Sequence, residues 1–397
     1  MPNLGVYIQV PFCQTKCTYC NFHTGVVSPG RFAPYAAAVC REVANHRQLL
    51  ESAGVTVSAT AGSSAESVDT VYIGGGTPSL LEPELLAGIL QSLRLNFDCS
   101  FREVTLEADP ETIDAERAAQ WAAAGFNRVS FGTQSFVDEE LKSAGRMHRR
   151  EDIYRAVPIL RAAGIGNISF DLIAGLPKQT HASWRQSLAE AIALSPEHIS
   201  IYMMEIDEGS RLGLEVLQSG SRYSAKDIPS EEAMAEFYEL AQSELKSSGF
   251  VQYEISNWAK PGYESRHNLK YWRREPYLGF GAGAHSFSGT QRWANRHDAA
   301  AYVAAISEGK SAIESVDTLT PALALEEEFF LGLRQLSGID LARIEREYGV
   351  SLGEKVGQLT SHGMVETRGD NMRLAADKLS VSSEIIVELL RSLQVTA

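Results

Sequence analysis

Three of the chain's five cysteines fall in one short run, Cys13-Gln-Thr-Lys-Cys17-Thr-Tyr-Cys20. Three thiolates at this spacing can hold three irons of a [4Fe–4S] cluster and leave the fourth iron to a partner from elsewhere. An iron without a protein ligand is a coordination site for a substrate, so the pattern points to chemistry rather than to a structural staple. His23 extends the run to C-x3-C-x2-C-x2-H, which is also a four-ligand zinc set, and the spacing alone leaves both metals open. A disulfide framework is disfavoured by the odd count, the length of the chain and the lack of an export segment. Cys40 and Cys99 stand alone and read as small apolar residues.

The cysteine run follows Tyr7-Ile-Gln-Val-Pro-Phe, a short buried strand ending in proline. Further strand-like segments, rich in Val, Ile, Tyr or Phe, lie at Thr70–Ile73, Glu103–Glu107, Arg128–Phe131, Ile168–Ile173 and His198–Met203. Amphipathic helical patterns separate them, at Tyr35–Leu50, Pro83–Leu93, Ala115–Ala124, Ile153–Ala163 and Trp184–Leu194, with another at Ser230–Ser248. This alternation predicts an α/β fold, a partial (β/α)6 TIM-like barrel of parallel strands. Barrel enzymes build their sites at the carboxyl ends of the strands. Here those ends carry the cysteine loop, Gly74-Gly75-Gly76-Thr77-Pro78, Glu107-Ala-Asp109-Pro110, Phe131-Gly-Thr-Gln134 and Asp171-Leu-Ile-Ala-Gly-Leu-Pro177. One polar residue at a strand end is usually a turn or cap; a series at the same end of one sheet reads as a site.

From Glu326 onward, three helical patterns precede two short strands joined by Gly369-Asp370-Asn371, the order of an α+β winged-helix-like domain. The expected organisation is a barrel over 1–250, a connecting segment over 251–325 packed on it, and this domain over 326–397. Gly54–Ser67 reads as a flexible surface loop. The whole chain is acidic, at −14, and the segment from Glu326 carries 8 basic against 12 acidic side chains. That balance argues against nucleic acid as a partner and for a packing or protein-interaction role of the last domain. No apolar run is long enough for a membrane span. Retained thiols without an export signal predict a cytoplasmic protein.

Together these blocks resemble the radical S-adenosylmethionine (SAM) superfamily, and within it the relatives of oxygen-independent coproporphyrinogen III dehydrogenase. The resemblance rests on C-x3-C-x2-C, Gly-Gly-Gly-Thr-Pro, Glu107, Gln134, Arg146, the Asp171 to Pro177 segment and the region from Tyr253 to Phe287. It covers most of the chain, and it retires the zinc alternative. It implies a [4Fe–4S] cluster on Cys13, Cys17 and Cys20, with SAM chelating the open iron and yielding a 5′-deoxyadenosyl radical on reduction. The cluster-bound SAM matches Tyr7, Gly75 and Glu107; a second SAM matches Tyr19, Gly76, Thr77, Gln134, Arg146 and Asp171. Gly74–Gly76 would admit close backbone approach, or simply make a tight turn. Tyr19 could face an adenine or be a core aromatic. Arg146 suits a carboxylate or could be a solvated surface residue.

Two departures separate the chain from the dehydrogenase proper. Phe22 stands where that enzyme has a further cysteine, and only six residues precede Tyr7. Both features resemble the haem chaperone branch, whose members bind haem as cargo and pass it to an acceptor protein. His267-Asn-Leu-Lys-Tyr271-Trp272 is similar to the branch's haem-binding motif. It implies haem on His267, Tyr271 and Trp272, although the same residues suit a buried lid over the barrel. The expectation is a haem chaperone with an acceptor protein, and an electron donor where the cluster is reduced. The alternatives are the dehydrogenase itself, which decarboxylates two propionates, and a related radical methyltransferase.

Overall fold

The computed structural model describes residues 3–55 and 67–392. Most of the expected loop at Gly54–Ser67 therefore lies outside the described residues. The first half alternates as β1 (Leu4–Val10), α1 (Phe32–Ser52), β2 (Ser67–Gly75), α2 (Pro83–Asn96), β3 (Asp98–Ala108), α3 (Ala115–Ala124) and β4 (Arg128–Gln134). It continues with α4 (Asp138–Ser143), α5 (Arg150–Ala162), β5 (Asn167–Ala174), α6 (His181–Ala193), β6 (His198–Met203), α7 (Arg211–Leu217) and α8 (Glu231–Ser247). Strands β1 to β6 are parallel and adjacent in sequence order. This is the arc of a (β/α)6 partial barrel.

Strand side chains alternate between faces, and each face has its own chemistry. Val6, Ile8 and Val10, Val71 and Ile73, and Val104 and Leu106 are fully buried against the helical layer. Each such side chain stabilises the fold by roughly 1.5–3 kcal/mol. The intervening residues line the barrel interior and are polar. Gly5, Thr70 and Glu103 share one level, and Tyr7, Tyr72 and Thr105 the next. Above them Gly74 approaches Glu107 so closely that a Cβ would lie 2.9 Å from its carboxyl carbon. Local chemistry sets the helix ends: Asp114 accepts from the Arg117 N–H and Gly125 closes α3 in the left-handed region at φ 108°.

Residues 251–325 extend the sheet as well as packing on it. Strands β7 (Val251–Glu254) and β8 (Asn257–Ala259) join beyond β6. After helix α9 (Arg266–Trp272), strands β9 (Tyr277–Phe280), β10 (His285–Phe287) and β11 (Gln291–Asn295) add to β1. Helix α10 (Ala299–Ser307) and β12 (Ile313–Thr318) complete a 12-stranded sheet, ordered β12-β11-β10-β9-β1-β2-β3-β4-β5-β6-β8-β7. Helix α9 closes the amino-terminal end of the barrel. The buried Glu103 carboxylate accepts the N–H groups of Arg266 and His267 at 3.0 and 2.9 Å, occupying the free donors of the first helical turn.

The final region comprises α11 (Pro321–Gly332), β13 (Ile339–Asp340), α12 (Leu341–Tyr348), α13 (Gly353–Ser361), β14 (Val365–Arg368), β15 (Asn371–Leu374) and α14 (Ser382–Ser392). Its strands form a small sheet, β13-β15-β14, beside the helices; the expected three helices and hairpin are present, but α11 begins at Pro321, ahead of the expected boundary at Glu326, and β13 and α14 are additional. Arg274 and Arg343 grip Glu328, tying the region to the residues after α9. Among the described residues no helix is long and apolar enough to cross a membrane.

Candidate metal centre and its cavity

Cys13, Cys17 and Cys20 lie in the loop after β1, at the carboxyl end of the barrel. Two neighbours hold that loop. Gly76 and Thr77 donate their N–H groups to the carbonyls of Val10 and Phe12 at 2.8 and 2.7 Å, and Thr18 bridges the Ala144 carbonyl and the Leu212 N–H. The approach at Gly76 is so close that a Cβ there would come within 2.4 Å of the Phe12 carbonyl oxygen. The third glycine of the run is thus required by packing, whatever it does for a ligand.

The loop opens on a cavity of about 740 Å³. Cys13, Cys17, Cys20, Tyr19, Gly75, Gly76, Thr77, Glu107, Gln134, Arg146 and Asp171 all line it. They come from five strand ends that the chain separates by more than 150 residues. Tyr7 lies one level deeper, with its hydroxyl on Gln9 at 2.8 Å and its ring stacked on Tyr72 at 6.1 Å. His23, which would complete a zinc set, packs instead against His297, with ring centroids 4.0 Å apart and the planes tilted by 31°. Cys13, Cys17 and Cys20 are all free thiols. Burial pushes the Cys13 and Cys20 thiols up, and Arg146 Nη1 lies 3.3 Å from Cys17 Sγ.

Carboxylates converge on the opposite wall. Glu107 accepts from the Gly75 N–H and from the Tyr72 hydroxyl, each at 2.8 Å. Burial nevertheless raises its carboxyl to about 7, against the pull of those two donors and with help from nearby Asp171 and Asp109. Burial also raises Asp171, although the Ser130 hydroxyl donates to it at 3.0 Å. Arg146 pairs with Asp109 and donates to the Gly132 carbonyl at 2.9 Å. Burial opposes its charge, but Asp109 and Cys17 outweigh that and keep the guanidinium ionised. Arg146 is thus a buried cation inside the site, not a solvated surface residue.

Two features mark the wall as built for a ligand. Gln134 has φ 56° without being glycine, a conformation that costs roughly 1 kcal/mol and clusters at functional sites. Its Oε1 and the Arg146 Nε are buried with no hydrogen-bond partner. Unpaired polar atoms facing a cavity that also holds three thiols and a half-buried carboxylate fit a cluster with SAM: sulfur for iron, carboxylate for ammonium, amide and guanidinium for a polar second ligand.

The H-N-x-x-Y-W segment lies elsewhere. His267 is 1% exposed and sits at the level of Thr70, on the side of the barrel away from the cysteines. Its Nδ1 bonds the Thr70 hydroxyl at 3.0 Å and its Nε2 the Tyr271 hydroxyl at 2.7 Å. Burial lowers its pKa to about 3, so the imidazole is neutral. In this conformation it offers iron no unpartnered nitrogen. His267, Tyr271 and Trp272 are brought together by α9, but beneath the cavity rather than on it. Tyr72 connects the two regions, donating to Glu107 while its ring stacks on His267 at 5.5 Å.

The sequence reading missed Tyr72, Asp109 as the partner of Arg146, and the cavity's outer wall of Met147, Met203, Met204, Ile206 and Arg334. The signal for Tyr72 was present: Thr70, Tyr72 and Gly74 alternate with Val71 and Ile73, placing Tyr72 on the interior face. Met203 ends the sixth strand and Met204 follows it, where the site logic already applied. Nothing local marks Arg334.

Comparison with known proteins agrees with this geometry. The family model of the radical SAM superfamily matches residues 7–191, and that of the HemN C-terminal domain matches residues 319–376. Heme chaperone HemW of Bacillus subtilis is 36% identical over 88% of this chain and 88% of its own length. Heme chaperone HemW of Synechocystis is 33% identical over 96% of this chain and 90% of its own length. The solved structure of coproporphyrinogen III oxidase HemN from Escherichia coli superposes with a TM-score of 0.82 over 98% of this chain and 91% of that one. At 22% identity that likeness establishes the shared fold. The cysteine loop and barrel, the matched C-terminal region and the extent of identity together mean that this chain belongs to the HemW family, within the radical SAM superfamily.

Proposed function

We propose that this protein is a haem chaperone, which binds haem as cargo and passes it to an acceptor protein. Its radical SAM barrel would hold a [4Fe–4S] cluster on Cys13, Cys17 and Cys20. Membership of the HemW family carries the reading, and Phe22 supports it. That side chain is 65% exposed at the cavity mouth, where the dehydrogenase has a further cysteine.

When bound, the cluster supplies an electron to SAM on its open iron. The residues of this chain prepare that contact. Tyr72 and the Gly75 N–H hold the Glu107 carboxylate, which with Tyr7 would bind the first SAM and accept from its ammonium. Gly75 lets the backbone approach. Tyr19, Gly76, Thr77, Gln134, Arg146 and Asp171 are assigned to a second SAM, with the unpaired Gln134 Oε1 and Arg146 Nε as polar contacts. Asp109 holds Arg146 in place and partly neutralises it.

The presence of this second group of residues around the cavity keeps coproporphyrinogen III dehydrogenase as the second reading. One experiment separates the two. The reconstituted protein is titrated with haemin, and the same sample is assayed anaerobically with reductant, SAM and coproporphyrinogen III. Saturable haem binding without protoporphyrinogen formation is the expected result. Sustained turnover to protoporphyrinogen would make the chain an enzyme.

A further inference from the structure

We propose that Arg334 is the carboxylate anchor of a tetrapyrrole site in the cluster cavity, and that Trp272 positions its guanidinium. The inference rests on haem being the cargo and names where that cargo lies. Arg334 enters the cavity wall just after α11, beside Ile255. The Ile255 N–H donates to the Arg334 carbonyl at 3.0 Å, which fixes the backbone there. The guanidinium lies 4.6 Å over the Trp272 ring. Its Nη2 pairs with the buried Glu254 at 3.2 Å, and its Nε is buried without a partner. A guanidinium stacked on an indole and tethered at one nitrogen keeps a defined edge for an incoming carboxylate.

The charge pattern of the cavity singles this residue out. The cations on its wall are Lys16, Arg146 and Arg334. Arg146 is taken by Asp109, and Lys16 donates to the Phe22 carbonyl at 3.2 Å. Arg334 is also paired, through Nη2 with Glu254, but of the three it is the one whose guanidinium is stacked on an aromatic ring, that of Trp272. The same cavity is lined by Met147, Met203, Met204, Ile206 and Phe22, with Glu205 and Asp207 interleaved among them. Met147 and Phe22 are 53% and 65% exposed. Thioethers and an aromatic ring suit a flat, apolar macrocycle face, and a cation on the same wall suits an acid substituent. A porphyrin carrying propionates has both features. Trp272, the last residue of the H-N-x-x-Y-W motif, would then serve cargo binding by holding the anchor rather than by meeting the iron.

The test uses haem and its dimethyl ester, in which both propionates are methylated, titrated by Soret absorption into the full-length protein. Wild type should bind haem about ten- to hundredfold more tightly than the ester, the worth of one charge-assisted contact. Arg334→Gln should lose that preference while binding the ester as wild type does, and Arg334→Lys should restore part of it. Because Arg334→Gln leaves buried Glu254 without its partner, the double variant Glu254→Gln/Arg334→Gln is measured alongside, with the same loss of preference expected. Equal weakening for haem and ester, or an undiminished preference for haem in both variants, overturns the proposal and leaves the chaperone reading standing. Failure of the wild type to bind either compound overturns both.

Discussion

Replacing Glu107 by Gln should make the apoprotein more stable and bind SAM less well. The carboxyl lies half-buried in the cavity wall and is raised from 4.5 to about 7, first by desolvation and then by Asp171 and Asp109. At about 1.4 kcal/mol per unit, that shift makes the fold with ionised Glu107 about 3 kcal/mol less stable than one with an unshifted carboxyl. Between the unfolded value near 4.5 and the folded value near 7 the native state holds the proton that the unfolded chain has released. Stability is therefore full below that window and falls as pH rises through it. Gln keeps the shape, can accept from the Gly75 N–H and can receive a turned Tyr72 hydroxyl, but it has no charge to desolvate. Urea unfolding of the two apoproteins across the window should show no difference near pH 4.5 and a gap growing to about 3 kcal/mol in favour of Glu107→Gln near pH 8. Calorimetric titration with SAM should show the reverse, a loss of about ten- to hundredfold from one missing charge-assisted contact. A stability gap that does not change with pH would refute the electrostatic reasoning, and unchanged SAM affinity would remove Glu107 from the ligand site. Activity purchased with stability at a desolvated charge is the general trade-off expected of such a site.

Single replacement of Cys13, Cys17 or Cys20 by Ala should abolish the visible absorption of the reconstituted cluster and weaken SAM cleavage; a fully assembled cluster in all three variants would falsify the assignment. Gly76→Ala drives a Cβ to 2.4 Å from the Phe12 carbonyl, so a fall of about 1–3 kcal/mol in stability is expected, together with weaker SAM binding, read by thermal melting with and without SAM. His267→Ala should cost about 2–4 kcal/mol in urea unfolding, because it opens a void at the barrel base and strands the Thr70 and Tyr271 hydroxyls. A His267→Ala protein of wild-type stability that has lost haem would instead make the imidazole a ligand rather than part of the plug.

The cysteine spacing, the six strand–helix units and the polar strand ends were legible in the sequence because each is local. Thiolate spacing marks a metal-binding loop within eight residues, with iron–sulfur and zinc both open on the spacing alone, and alternating apolar and helical periods follow from backbone geometry. Arg128 and His198 begin the fourth and sixth strands at the residues the pattern indicated, and α3 spans Ala115–Ala124 as expected. Membership of the site could also be read, since a parallel barrel necessarily gathers its carboxyl strand ends at one rim. What the tertiary structure decided is how each side chain is engaged once there. Arg146 meets Asp109 across 37 residues of chain, and Glu107 rises to about 7 because burial outweighs two donors. His267 reaches Thr70 across 197 residues. The H-N-x-x-Y-W motif has the same letters whether its imidazole faces iron or a threonine hydroxyl. Only the position of α9 under the barrel distinguishes them, and that position depends on Glu103 capping a helix more than 160 residues away. Burial and partner choice are properties of contacts between distant segments, and no local pattern of residue types encodes them.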